Sequence, residues 1–123
     1  MRRLSAKGIQ SAFQCYNTNS FESVERLIRR GFYKGPLVMN WVAIGGGMDT
    51  PSVYSLGNFL RGVPDGAVVT VESDVRNVLP VNMMGIAMGP HVRCSTEDVL
   101  WNQRRTARQS TVQQIEQLGV DAG

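Results

Sequence analysis

Strand-like and helix-like segments alternate four times along this chain of 123 residues. The strand-like segments cover residues 9–16, 37–44, 67–71 and 90–98, and the second of them is almost continuously apolar. An unbroken apolar run is typical of a parallel strand that is covered on both faces. The alternation of such strands with helices favours a parallel sheet with right-handed crossovers, which is an α/β fold.

The predicted helices are marked by signals at their ends. Capping residues or early prolines come before each helix, at Asn19 with Glu22, Thr50 with Pro51, Pro80, and Ser110 with Gln113. Stop signals follow at Gly31, Pro64, Gly89-Pro90 and Gly119. The first helix (residues 20–30) is expected to bury Val24, Leu27 and Ile28, and the apolar residues of the last are Val112, Ile115 and Leu118.

Two architectures satisfy this order of elements. One is an open flavodoxin-like sheet, and the other is part of a (β/α)8 TIM barrel. A complete barrel takes roughly 250 residues, so four strand–helix units would supply about half of one. By its length the chain is expected to form a single domain over residues 1–123, with residues 1–7 as a basic, unpatterned lead-in.

Composition excludes several classes of function. The net charge of +3 is mild and comes from separated arginine pairs, which is untypical of a nucleic-acid-binding surface. Cys15 and Cys94 have no metal-ligand spacing and are expected to be buried thiols of a reducing compartment. No apolar run has the length of a membrane span, and no signal peptide is recognisable, so a soluble cytoplasmic protein is expected.

The most unusual segment is residues 90–98, which is interpreted as a strand that carries charges. Side-chain alternation would place His91, Arg93 and Glu97 on one face. Charges there are costly unless they are paired or bind a ligand. Two interpretations stay open at this point: a buried Arg93–Glu97 ion pair that fixes the strand register, or a functional site. Asp98 follows where the strand gives way to a loop, the usual place for reactive groups in α/β enzymes.

Three other features of the sequence say less about the function. The loop at residues 45–47 is glycine-only but fits neither the Rossmann nor the P-loop fingerprint, so a flexible loop near a substrate is expected. Arg76 is either an anion contact or a helix-capping charge. On a strand, His91 and Glu97 would lie roughly 20 Å apart and could not share a metal. His91 is therefore expected to be a hydrogen-bonded structural residue at the N-terminal end of the sheet.

Several motifs resemble the beta-keto acid cleavage enzymes. They are residues 35–40 (GPLVMN), 46–48 (GGM) and 63–67 (VPDGA), Arg76 with Leu79-Pro80, and residues 91–98 (HVRCSTED). The resemblance runs from about residue 8 to residue 119. It implies a zinc-dependent (β/α)8 barrel, usually a homo-oligomer, that condenses a beta-keto acid with acetyl-CoA to give acetoacetate and a new CoA thioester. It also implies that this chain carries the last four βα units, a half-barrel.

The resemblance assigns roles to individual residues. Asp98 corresponds to the acid–base residue that removes a proton from the keto acid, Arg93 to the arginine that orients it, and Glu97 to a carboxylate ligand of Zn2+. Substrate contacts are implied at Gln14, Gly46, Gly47 and Arg76. Gln14 stands where family members with an amino-substituted substrate have a glutamate, so a differently substituted keto acid is expected here.

The chain also departs from the family pattern. The family's other zinc ligands form a His-x-His pair on an early strand, whereas this chain has a single histidine. It is therefore expected to hold zinc poorly by itself, because catalytic zinc sites usually have three protein ligands. Ser95 replaces a usual glycine and Val99 a usual asparagine.

Three hypotheses follow. The first is the C-terminal half of a keto acid cleavage enzyme, active when the barrel is complete. The alternative is a non-catalytic half-barrel remnant that self-associates through its open sheet edges. The third is a basic binding module, which the scattered arginines do not favour.

Overall fold

The computed structural model describes residues 1–74, 78–102 and 104–123. Helices and strands alternate along these ranges. The elements are α1 (Arg2–Ala6), β1 (Ala12–Cys15), α2 (Ser20–Arg29), β2 (Val38–Ala43), α3 (Val53–Gly62), β3 (Val68–Ser73), α4 (Val78–Met88), β4 (His91–Val92) and α5 (Thr111–Ala122). In the described part of the chain, no helix combines the length and the apolar character that crossing a bilayer requires.

The four strands form one parallel sheet in the order β1-β2-β3-β4. Phe13 lies beside Met39, and Met39 lies beside Val69, so one row of apolar residues crosses three strands. The predicted α/β fold is therefore confirmed. The sheet is not closed, which is consistent with part of a TIM barrel.

The helices that follow the first three strands share one face of this sheet. Trp41 and the other core-facing strand residues form a single buried cluster with Val24 of α2, Phe59 of α3 and Val81 of α4. An open flavodoxin-like sheet would instead place helices on both faces. The one-sided arrangement is that of a barrel wall, with the helices outside.

The second face of the sheet is only partly covered, which corrects the prediction for the second strand. Met39 and Trp41 are fully buried, but Val38 and Asn40 on the second face are half-buried. On β3, Val68 keeps 43% of its surface exposed. The apolar run predicted burial along both faces, whereas on the second face of β2 only Val42, near the carboxyl end of the strand, is buried.

Several predicted details of the helices are wrong. The lead-in forms a short helix, Asn19 makes no side-chain cap, Ser52 rather than Thr50 caps α3, and α4 begins at Val78 before Pro80. Ile28 of α2 is 42% exposed, and α5 continues past Gly119. The capping box of Ser110 with Gln113 is confirmed.

The last helix is rotated from the expected orientation, and of its three predicted apolar residues only Leu118 is half-buried. Val112 is 62% exposed and Ile115 is 56% exposed, while Gln114 is buried. The side chain of Gln114 donates a hydrogen bond to the backbone oxygen of Val99 at 2.9 Å. A polar tertiary contact therefore decides which face of α5 is buried.

Helix α4 approaches the sheet closely at Gly85, and this contact gives a testable prediction. A Cβ atom on Gly85 would lie 2.9 Å from Cγ1 of Val92 and 3.2 Å from Cβ of Val71. We expect Gly85→Ala to lower the free energy of unfolding by about 1–3 kcal/mol because α4 must move off the sheet.

The matched control is Gly57→Ala on α3, where a Cβ meets nothing within 4 Å. That substitution should raise the stability by about 0.5–1 kcal/mol. Urea denaturation of both variants tests the pair, and equal effects would contradict the close packing of α4.

Candidate active site

A cluster of charged side chains lies at the carboxyl ends of β3 and β4. Glu72 is near the end of β3, and Arg93 follows directly after β4. The backbone N–H of Arg93 donates to the oxygen of Val71 at 3.0 Å and so extends the strand pairing by one step. The register places Arg93 beside Glu72, and their Nη1 and Oε2 atoms lie 2.9 Å apart.

A tight turn brings two more carboxylates to the same arginine. The backbone N–H of Asp98 donates to the oxygen of Ser95 at 3.1 Å, so the chain folds back after β4. Nη2 of Arg93 then donates to Oδ1 of Asp98 at 3.0 Å and also to the carboxylate of Glu97. The hydroxyl of Ser95 donates to Oδ2 of Asp98 at 3.2 Å. Asp98 is thus held through both of its oxygens.

This turn corrects the interpretation of residues 90–98 as one strand. Only His91 and Val92 are in β4, and His91 is exposed at the N-terminal end of that strand. Glu97 lies in the turn, not at a strand end, so its contact with Arg93 arises from the chain reversal and not from side-chain alternation.

The burial of the three carboxylates differs sharply. Glu72 is 3% exposed and Asp98 is 6% exposed, whereas the side chain of Glu97 is 75% exposed. Of the two interpretations of residues 90–98, the buried Arg93–Glu97 ion pair is therefore wrong, because the buried partners of Arg93 are Glu72 and Asp98. Glu72 did not figure among the predicted site residues. The parallel register could have identified Glu72, because it pairs Val71 with Val92 and so places the next residues, Glu72 and Arg93, side by side.

The contact of Glu72 with Arg93 is an ion pair without hydrogen-bond geometry. Its Oε2 atom is buried and accepts no hydrogen bond from the described residues, although Nη1 of Arg93 is within ion-pair distance. Burial raises the pKa of the Glu72 carboxyl, Arg93 opposes this shift, and the charge of Asp98 adds to it. The charged form of Glu72 is therefore stabilised at Oε2 by the ion pair and not by a hydrogen bond from the described residues.

Two neighbouring carboxyl groups are shifted in the same direction. Burial raises the pKa of Asp74, and the adjacent Asp98 raises it further. For Glu97, a hydrogen bond with Asp98 and then the charge of Asp98 raise the pKa. Several carboxylates share one guanidinium, so the folded site favours the uptake of protons.

These shifts predict how stability depends on pH. A carboxyl whose pKa is higher in the folded state binds more protons there, so its stabilising effect is present below the unfolded pKa and is lost as pH rises through the folded pKa. The ordinary pKa of the Glu72 carboxyl is 4.5. We expect the free energy of unfolding of the wild type, relative to that of Glu72→Gln, to decrease as the pH is raised from about 4.5 to 7.

Urea denaturation at a series of pH values measures this difference. Glu25→Gln on the exposed surface of α2 controls for the chemical change. If the free energy of unfolding of the wild type instead increased relative to that of Glu72→Gln as the pH rises, the pKa of Glu72 would be lowered in the folded protein, and the prediction would be wrong.

Comparison with known protein families completes the description of the site. Residues 1–120 match the beta-keto acid cleavage enzyme family. The chain belongs to this family. Among curated proteins, no sequence matches it. The resemblance of the motifs around Arg93, Glu97 and Asp98 is confirmed at the level of the family, and the open α/β sheet agrees with it.

Three other predicted site residues of this beta-keto acid cleavage enzyme family member, Gln14, Gly46 and Gly47, lie elsewhere along the same sheet edge. Gln14 is exposed on β1, where its Oε1 accepts a hydrogen bond from the Tyr16 hydroxyl at 3.1 Å. Two strands separate β1 from β4, so Gln14 is not part of the charged cluster. Gly46 and Gly47 form the loop after β2, and Gly46 has a left-handed φ of 71°. Arg76 lies outside the described residues.

The predicted zinc ligand can be tested against the donors around it. Glu97 is held by Arg93, a cation that competes with a metal for the same carboxylate. Across the described ranges, no three His, Cys, Asp or Glu side chains are grouped so that they could hold a metal ion. His91 lies at the other end of β4. The residues described in this family member therefore do not fit a zinc centre by themselves.

Proposed function

We propose that this chain supplies the acid–base residue of a beta-keto acid cleavage enzyme. In this proposal Asp98 removes a proton from the acidic methylene of a beta-keto acid, which then condenses with acetyl-CoA to give acetoacetate and a CoA thioester. The observation that carries the proposal is the fixed position of Asp98, which is 6% exposed and bonded through both oxygens. Membership of the family supports the reaction class.

The contacts of Asp98 suit a general base. A base must be held in one orientation with a lone pair directed at the substrate, because a misplaced group loses much of its effect. Arg93 fixes one oxygen of Asp98 and Ser95 fixes the other. Arg93 is itself held by Glu72, so it acts as a positioning residue. The serine that replaces the family's usual glycine thus contributes a contact to the proposed base.

Substrate and cofactor follow from the same family relation and remain proposals. Gln14 is neutral, which favours a keto acid without a cationic substituent in contact with β1. Glu97 is proposed as one ligand of Zn2+, with the other ligands supplied from outside the residues described here. A homo-oligomer and a cytoplasmic location stay predictions.

Complementation tests this proposal. The chain is combined with a segment from a family member that carries the His-x-His strand, and acetoacetate is measured with a beta-keto acid and acetyl-CoA as substrates. We expect acetoacetate only when both polypeptides are present. A complemented barrel that contains zinc and binds acetyl-CoA but forms no acetoacetate would contradict the proposed function.

A further inference from the structure

A basic hairpin follows the turn of the charged cluster. This arginine hairpin consists of residues 100–102 and 104–109, and it carries three exposed arginines, Arg104, Arg105 and Arg108. No acidic residue occurs among residues 99–115, and the other ten basic residues of the chain are balanced by its ten acidic residues. The charge of the hairpin therefore equals the net charge of +3 of the whole chain.

The backbone of the arginine hairpin is fixed by hydrogen bonds. Trp101 and Arg108 form an antiparallel bridge. The side chain of Asn102 accepts hydrogen bonds from the backbone N–H groups of Thr106 at 2.8 Å and Ala107 at 3.3 Å, and it donates to the hydroxyl of Thr106 at 2.8 Å. The backbone positions of the arginines are therefore set before a ligand binds, which lowers the entropic cost of binding.

Two of the arginines have unused hydrogen-bond donors. Neither Arg104 nor Arg108 pairs with a carboxylate of the described residues. The guanidinium carbon of Arg108 lies 5.6 Å from the ring centroid of Trp101. An arginine stacked on an aromatic ring keeps the N–H groups at its edge available, and a guanidinium can donate to two phosphate oxygens at once. Crowded positive charges repel one another, so the hairpin favours an anion beside it.

The arginine hairpin borders the proposed catalytic residue. Trp101 and Arg105 line an open cavity of about 270 Å3, and Glu97 and Asp98 line the same cavity. The other two arginines are not among its lining residues. A ligand that extends from Asp98 to these arginines must therefore be elongated and must carry its negative charge away from the reacting end.

We propose that the arginine hairpin binds the phosphate groups of CoA while the acetyl end of acetyl-CoA lies near Asp98. In CoA a long pantetheine arm separates the thioester from a diphosphate and from a further phosphate on the ribose. Arg104 and Arg108 donate to these phosphate oxygens, and the arm passes along Trp101. The identity of the ligand rests on the proposed function. The hairpin adds a binding site for the co-substrate, which lies outside the predicted substrate contacts at residues 14, 46, 47 and 76.

A matched pair of ligands tests the proposal on the intact 123-residue chain. CoA carries the phosphates, whereas pantetheine keeps the arm and the thiol but has no phosphate. Binding is followed by NMR through the indole N–H signals of the two tryptophans. Trp41 is the internal control, because it lies in the core and its indole donates to Asp49. We expect CoA to shift the Trp101 signal and leave the Trp41 signal unchanged. Pantetheine should bind more weakly by roughly tenfold or more, because it accepts no charge-assisted hydrogen bond from the arginines.

Single substitutions identify the arginines that hold the phosphates. Arg104→Gln and Arg108→Gln should each weaken CoA binding by about three- to tenfold. Arg104 has no ion pair to lose within the described ranges, so its variant should fold like the wild type. The control is Arg61→Gln, which removes the same charge from the exposed surface of α3 and should change the affinity by less than about twofold because salt screens distant charges.

Equal affinities for CoA and pantetheine, an unchanged Trp101 signal, or equal losses in Arg104→Gln and Arg61→Gln would overturn the proposal. An oligonucleotide that binds the hairpin more tightly than CoA would also overturn it, because the surface would then recognise nucleic acid. These measurements involve no catalysis, so each of these results contradicts the hairpin site and leaves the role of Asp98 open to its own test. The proposed function fails instead if a complemented barrel binds acetyl-CoA and zinc but forms no acetoacetate.

Discussion

Replacing Arg93 by methionine should lower the free energy of unfolding at pH 7 by about 2–4 kcal/mol. The guanidinium lies within 3.0 Å of both Glu72 and Asp98, and these two carboxylates are almost fully buried. Without Arg93 they would be left as buried charges that repel each other. We expect a smaller loss of stability than for a fully buried ion pair, because the side chain of Arg93 is 37% exposed and solvent screens part of the interaction.

Urea denaturation measures this loss, and its pH dependence identifies the cause. At pH 5 the variant should lose less stability than at pH 7, because the Glu72 carboxyl, whose pKa is already raised by burial, can take up a proton in the folded state. Arg26→Met is the matched control: it breaks the pair with Glu22, whose side chains are 54% and 72% exposed, and should cost less than about 0.5 kcal/mol. Equal losses for the two variants, or a larger loss for Arg93→Met at pH 5, would contradict the account of the cluster.

The sheet could be predicted because its strands are chemically simple. The apolar run of β2 and the β-branched run of β3 leave few alternatives to parallel strands packed against helices. These apolar runs do not show that the second face of the sheet is only partly covered. A half-open barrel wall and a fully covered sheet both need apolar residues such as Val38 on the second face, and only the position of the helices separates the two.

The length of β4 shows where side-chain alternation fails. Residues 93–98 alternate like a strand, but Ser95 and Asp98 are also typical turn residues three positions apart. Their hydrogen bond, together with the one from the backbone N–H of Thr96 to the hydroxyl of Thr111, stabilises the turn. These local hydrogen bonds therefore favour a turn where the alternation of side chains predicted a strand.

The charged site was predicted in part. Arg93, Glu97 and Asp98 were grouped through the family resemblance, and the structure brings these three together. Glu72 was missed because its pairing depends on a register between strands that are distant in sequence. For α5, the sequence identifies which residues are apolar, but Gln114 is buried because Val99 offers it a carbonyl oxygen, and this contact is invisible to helical periodicity.

The substitution of Asp98 by asparagine should have the largest effect on catalysis. In the complemented barrel, we expect the rate of acetoacetate formation to fall by about 10²–10⁴-fold, because an amide cannot accept the proton that a general base removes. The shape of the side chain is conserved, and one oxygen remains for the contact with Arg93. Arg93 also keeps its other partners, so the stability should fall by less than it does in Arg93→Met.

Acetoacetate formation and urea denaturation, measured on the same preparations, separate the loss of the base from a loss of folding. Asp65→Asn provides the same chemical change at an exposed position in the turn between α3 and β3, and should leave the rate unchanged. If Asp98→Asn kept its rate within about twofold of the wild type, Asp98 could not be the base, since removing a general base costs at least about a hundredfold. A fall in rate accompanied by an equal fall in KM would instead indicate that Asp98 acts on the bound substrate through strain and not through proton transfer.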